Sequence, residues 1–156
     1  MTVVLETNEV VILAFEGPDK VGKTSLIAEV NRKSDYRYLC IDRFLASAWV
    51  YDQLSGRRER SEKLGRVERD LAGLSSMLMV TVVVTCDRSV LAERIQGHDE
   101  QANDRLDVLD LAIELFEEYA RSRAVAPIIK IDTTLRSIDE AASEVIEKVN
   151  ELCQHY

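Results

Sequence analysis

At 156 residues the chain has room for one domain with a substantial core and none for a second. Its 46% hydrophobic and 31% charged content are those of a soluble globular protein, and no apolar run approaches the ~18 residues of a membrane span. The net charge of −8 argues against broad non-specific affinity for nucleic acid, though it leaves room for a local basic groove. Three cysteines far apart in sequence (Cys40, Cys86, Cys153) indicate neither a disulfide framework nor a zinc site; with no signal peptide before the first strand, a cytoplasmic location is expected.

Residues 2–5 are expected to form a small strand that turns at Thr7-Asn8 into residues 10–15, an apolar run with the character of a fully buried strand. Residues 17–24 then read Gly-Pro-Asp-Lys-Val-Gly-Lys-Thr, a full match to the phosphate-binding loop pattern G-x-x-x-x-G-K-[ST]. Residues 25–30 follow as a helix with Leu26, Ile27 and Val30 on one face. Such a loop turns backbone N–H groups toward phosphate oxygens, and the helix start adds partial positive charge. Gly17, Asp19, Lys20, Val21, Gly22, Lys23, Thr24 and Ser25 are therefore the expected phosphate-binding set. Lys23 is expected to reach the terminal phosphates and the Thr24 hydroxyl to ligate Mg²⁺, so the motif predicts a bound nucleoside triphosphate.

A second strand is predicted over residues 36–41, ending in Asp42-Arg43, with a helix over 44–54 and a turn at Ser55-Gly56. A further helix is expected over 57–74, with Leu64, Val67, Leu71 and Leu74 on one face. Its arginines and Lys63, mixed with Glu59, Glu62 and Glu68, read either as a solvated face or as a phosphate-facing patch. Residues 78–85 are a β-branched run suited to a strand covered on both faces, and Asp87 is placed to cap a short helix containing Val90, Leu91 and Ile95. The polar stretch 96–103 is expected to be a mobile loop, followed by a helix over 104–122 with Leu106, Leu109, Ile113, Phe116 and Ala120 at 3–4 spacing. A last strand over 128–131 precedes a helix that Ser137 and Glu140 start as a capping box.

Strands alternating with helices imply an α/β fold: a mostly parallel sheet of about 4–5 strands with helices on both faces. Ligands in such sheets collect beyond the carboxyl ends of the strands, where the loop, Asp42-Arg43, Asp87-Arg88 and Asp132-Thr133 fall. A GTP-dependent switch would need a guanine-reading N-K-x-D element, which is missing, and Val82 to Asp87 only partly echoes the metal-binding strand of a motor ATPase. Small kinases need little more than charge neutralisation and in-line positioning, which Lys20, Lys23, Arg43, Arg94 and Arg105 can supply. His98 is assigned no role.

Residues 15–25, F-E-G-P-D-K-V-G-K-T-S, resemble the phosphate-binding loop of thymidylate kinases, and 42–51, D-R-F-L-A-S-A-W-V-Y, resemble that family's D-R-[YF]-x-x-S-x-x-[AV]-[YF] element. Residues 90–95 with Asp104-Arg105 resemble the two ends of its lid, here short at about 96–104, and Ile131-Asp132 its last strand ending. The resemblance implies a single three-layer kinase domain of the P-loop type over 1–156, with ATP as donor and Mg²⁺ as cofactor. It implies that Lys20, Lys23 and Arg94 act in transfer, that Thr24 and Asp42 hold the metal, with Asp87 as rival to Asp42, and that Asp19, Arg43, Ser47 and Tyr51 bind the acceptor. In that family Asp19 would approach a 3′-hydroxyl, Arg43 the acceptor phosphate, Ser47 the base, and Tyr51 the sugar's 2′ position. Homodimers are common there, and Trp49, Leu64 and Leu71 are candidates for such an interface or for the core.

The chain departs from the family in having only residues 25–41 between Thr24 and Asp42, without the elements that enclose the acceptor base, and in a lid lacking arginine between Gln96 and Asn103. A deoxynucleoside monophosphate is the first expectation for the acceptor. The alternative is a hydroxyl too large for a closed pocket, such as 5-hydroxymethyluracil in viral DNA as in some bacteriophage kinases, with Asp42 as general base and residues 57–69 on the DNA backbone. A nucleotide-binding regulatory protein without transfer is the third.

Overall fold

The computed structural model describes residues 10–97 and 102–155; the strand expected at 2–5 and the centre of the polar loop lie outside them. In chain order the elements are β1 (Val10–Glu16), α1 (Lys23–Ser34), β2 (Leu39–Asp42), α2 (Leu45–Leu54), α3 (Ser61–Ala72), β3 (Met77–Thr85), α4 (Arg88–Gln96), α5 (Ala102–Glu118), β4 (Ile128–Asp132) and α6 (Ile138–Cys153). A 3₁₀ turn, Arg58–Arg60, leads into α3, and α5 runs into a π-helical turn, Tyr119–Arg123.

The strands form one parallel sheet in the order β2-β1-β3-β4. The register sets Phe15 opposite Asp42, Glu16 opposite Val83, and Thr85 opposite Asp132, so these ends share one edge. Alternation along β1 divides the core between two faces. Val11, Leu13 and Phe15 pack with Leu26 and Val30 of α1 and with Ala142, Val145 and Val149 of α6. Ile12 and Met79 face the other way, toward Phe44, Leu45, Leu64 and Leu71. The expected α/β architecture with helices on both faces is what the chain adopts. The Ser137–Glu140 capping box forms as expected, with Glu140 N–H donating to Ser137 Oγ at 3.1 Å.

Three local expectations differ. The helix foreseen over 57–74 begins with the 3₁₀ turn, and Val67 and Leu74 face solvent; its inward row is Leu64, Glu68 and Leu71. Glu68 is buried because each of its oxygens has a donor: Tyr119 Oη at 2.7 Å on one, Val125 N–H at 2.9 Å and Ala126 N–H at 3.2 Å on the other. Asp87 stands at the start of α4 but its side chain makes no capping bond; its main-chain N–H donates to Thr134 Oγ1 at 2.8 Å. Trp49, Leu64 and Leu71 belong to the interior clusters.

Candidate active site

The loop between β1 and α1 is shaped by two glycines. Gly17 has φ +150° and its Cα lies so close to β3 that a Cβ would run into the Val84 carbonyl oxygen, while Gly22 has φ +102° directly before α1. Between them Val21 is fully buried and anchors the loop to the core. From outside, the Thr133 hydroxyl lies 2.9 Å from the Val21 carbonyl, and Arg94 Nη1 donates to the Lys20 carbonyl at 3.1 Å and to that of Val21 at 3.4 Å. These bonds brace the Lys20 and Val21 carbonyls from outside.

Lys23 is buried, and its ammonium donates to the carbonyls of Gly17 and Pro18 at 2.9 Å each. Burial, with Arg43 nearby, lowers its pKa to about 8, although Asp42, Asp19 and Glu16 pull upward. Thr24 Oγ1 lies 3.5 Å from Asp42 Oδ2, so the register that pairs β1 with β2 brings the two expected metal ligands together. Hydroxyl and carboxylate oxygens are hard donors suited to Mg²⁺, which takes its remaining ligands from phosphate and water. Among the described residues no group of three or more His, Cys, Asp or Glu side chains is placed to hold a metal ion.

At the end of β2 the chain turns sharply. Arg43 adopts φ +65°, in the left-handed region that costs a non-glycine residue about 1–2 kcal/mol. Its guanidinium pairs with Asp19 of the loop and donates to Tyr51 Oη at 2.6 Å, with its Cζ 5.2 Å from the Tyr51 ring centre. Asp19, Lys20, Gly22, Lys23, Thr24, Ser25, Asp42 and Arg43 together line a cavity of about 440 Å³. Ser47 is buried away from that lining; its N–H donates to Glu16 and its hydroxyl lies beside the same carboxylate. The Arg105 side chain lies outside the described ones.

Sequence reasoning missed Glu16. This buried carboxylate accepts the N–H groups of Phe44 and Ser47, the two donors that a capping box would satisfy at the start of α2, a helix with no side-chain cap of its own. Burial raises its pKa to about 7 against those hydrogen bonds. The one signal available was a carboxylate ending an otherwise apolar strand immediately before the glycine.

No family model matches the chain, and no curated protein matches it. Solved structures do. The YorR protein from Bacillus subtilis, in complex with phosphorylated GDP, superposes with a TM-score of 0.67 at 23% identity, over 93% of this chain and 98% of that one. A deoxyadenosine kinase from M. mycoides with dCMP and a flexible dCDP bound gives 0.52 at 11% identity, over 90% and 99%. A gluconokinase from Sinorhizobium meliloti 1021 gives 0.52 at 16% identity, over 95% of each chain. The fold is that of the P-loop kinases. Among the described residues no helix is long and apolar enough to cross a membrane.

Proposed function

We propose that the chain is an ATP-dependent phosphotransferase acting on a deoxynucleotide-type acceptor, most like a deoxynucleoside monophosphate. The observation that carries this reading is Arg43, poised at the rim of the phosphate cradle and paired with the loop's own Asp19. A cradle that only held a triphosphate would have no use for a strained, bidentate-capable cation aimed across it. The resemblance to thymidylate kinases at residues 15–25 and 42–51, and a nucleoside kinase among the solved structures of this fold, support the same class.

In this mechanism Lys23 leaves the Gly17 and Pro18 carbonyls for the donor's terminal phosphates, and the loop N–H groups fix their oxygens. Thr24 and Asp42 would hold Mg²⁺, which when bound would offset phosphate charge. Arg43 exchanges Asp19 or Tyr51 for the acceptor's phosphate, freeing Asp19 toward the sugar hydroxyl, while Tyr51 limits room at the 2′ position. Lys20, in the cradle lining, stabilises charge in transfer, and Arg94, which grips the Lys20 and Val21 carbonyls from outside, would have to swing from them to join it.

A second reading has its own observation. Residues 25–41 are used up by α1 and the edge strand β2, so no inserted element covers the acceptor side of Arg43 among the described residues. An acceptor hydroxyl on a modified base in DNA fits such an open edge, with Asp42 as base. Labelled ATP offered with free deoxynucleoside monophosphates and, separately, with hydroxymethylated duplex DNA separates the two. Transfer to a monophosphate is expected, abolished by Lys23→Ala and with a sharply raised KM in Arg43→Ala. Transfer to DNA alone moves the acceptor to the second reading, and ATP binding without transfer to either rejects the phosphotransferase.

A further inference from the structure

We propose that a second cavity, between α2, α3 and the π-helical turn, is a ligand site for a phosphorylated small molecule of nucleotide size. It encloses about 660 Å³, within the range of small-molecule pockets, and shares no lining residue with the phosphate cradle.

The cavity is built rather than left over. The π-helical turn, an insertion that recurs at functional sites, places Tyr119 against Glu68 and lays the Arg123 guanidinium over the Trp49 ring, 5.5 Å from its centre. Gly65 forms part of the wall, with Arg69 Nη1 folded back to 3.6 Å from where its Cβ would stand.

The charges at the wall are unequally committed. Both Glu68 oxygens are saturated, and Glu62 pairs with Arg66 at 3.5 Å. Glu59 stands on the rim beside Arg60. Arg58 and Arg69 line the cavity without an ion pair among the described residues, and Arg123 has only a 3.9 Å contact to Glu118. Three arginines lining one open-mouthed cavity favour an oxyanion, which guanidinium groups bind through paired N–H donors. Trp49 and Arg123, stacked on each other in the wall, give it an aromatic and planar-cation surface of the kind that packs against a flat ring, which makes a nucleotide a better fit than a bare inorganic phosphate.

Trp49 is the chain's single tryptophan and lies in this wall, so its fluorescence reports occupancy directly. In the full chain carrying Lys23→Ala, which disables the cradle, titration with ATP is expected to give a saturable change in Trp49 emission. Arg58→Ala and Arg69→Ala, at exposed positions, are each expected to weaken it about tenfold without lowering the melting temperature. Absence of a saturable change overturns the proposal, as does binding indifferent to both substitutions. Binding of a duplex oligonucleotide through the same arginines, with none of ATP, overturns it in favour of a nucleic-acid surface.

Discussion

Glu16 makes the stability of this protein depend on pH in an unusual direction. Its carboxyl is raised from 4.5 to about 7 because burial outweighs the hydrogen bonds from Phe44 and Ser47. The folded chain therefore binds that proton more tightly than the unfolded chain does. The associated stability is fully present below pH 4.5 and is lost as pH rises through about 7. Where the folded chain holds one proton more than the unfolded chain, stability falls by about 1.4 kcal/mol for each step of one in pH. The loss between about pH 5 and pH 8 is then about 2.5 kcal/mol. Asp52, Asp132 and Asp139 are shifted down, by Arg60, Thr134 and Lys33 respectively, so their contributions change at lower pH. Glu16→Gln removes the titrating group, and the acceptor it also replaces, facing Phe44 or Ser47 N–H, changes stability by an amount that does not vary with pH. Urea unfolding of both proteins at the two pH values is expected to give a stability difference, wild type minus variant, that falls by about 2.5 kcal/mol on going to pH 8. A difference constant to within about 0.5 kcal/mol refutes the desolvation of Glu16.

Glu68→Gln leaves one acceptor where three donors converge and is expected to cost about 1–3 kcal/mol in urea unfolding; a cost below about 0.5 kcal/mol means the three bonds do not hold the turn to α3. Thr133→Val keeps the side chain's shape but takes the hydroxyl away from the Val21 and Thr85 carbonyls, and is expected to weaken ATP binding about fivefold by calorimetry, with Thr133→Ser restoring it. Lys23, with its pKa at about 8, must be charged to hold a triphosphate, so the ATP dissociation constant is expected to be flat below about pH 7, to be about doubled at about pH 8 and to rise about thirtyfold by about pH 9.5. A profile flat throughout would show that this ammonium is not drawn into a low-dielectric setting.

The four described strands, their parallel direction and the loop were legible in the sequence because each depends on local composition: apolar runs buried on both faces, a glycine bracket, a capping box. Asp42 and Arg43 were legible through their place at a strand end, and the register then set Asp42 beside Thr24. What escaped were residues whose meaning depends on partners far along the chain. Glu68 reads as one more charge in a charged helix until its donors arrive from residues 119–126. Hydrophobic periodicity scores it as polar and so rotated the inferred face of α3 toward Val67 and Leu74. Asp52 escaped for a nearer reason: its partner Arg60 stands only eight residues on, across the Ser55-Gly56 turn, with Nε 2.7 Å from Oδ2, and no periodicity reads a pair across a turn. The π-helical turn left no periodic trace either, because one extra residue at a helix end does not disturb the spacing before it.

The left-handed backbone at Lys20 and Arg43 sets thermal hardiness against chemistry. Glycine at either position would relax the main chain by about 1 kcal/mol and delete a cation from the cradle in the same step. The trade is cleaner at 20 than at 43, where the arginine also gives up Asp19 and Tyr51, and it is absent at Asp35 and Tyr36, whose backbone is left-handed outside the cradle.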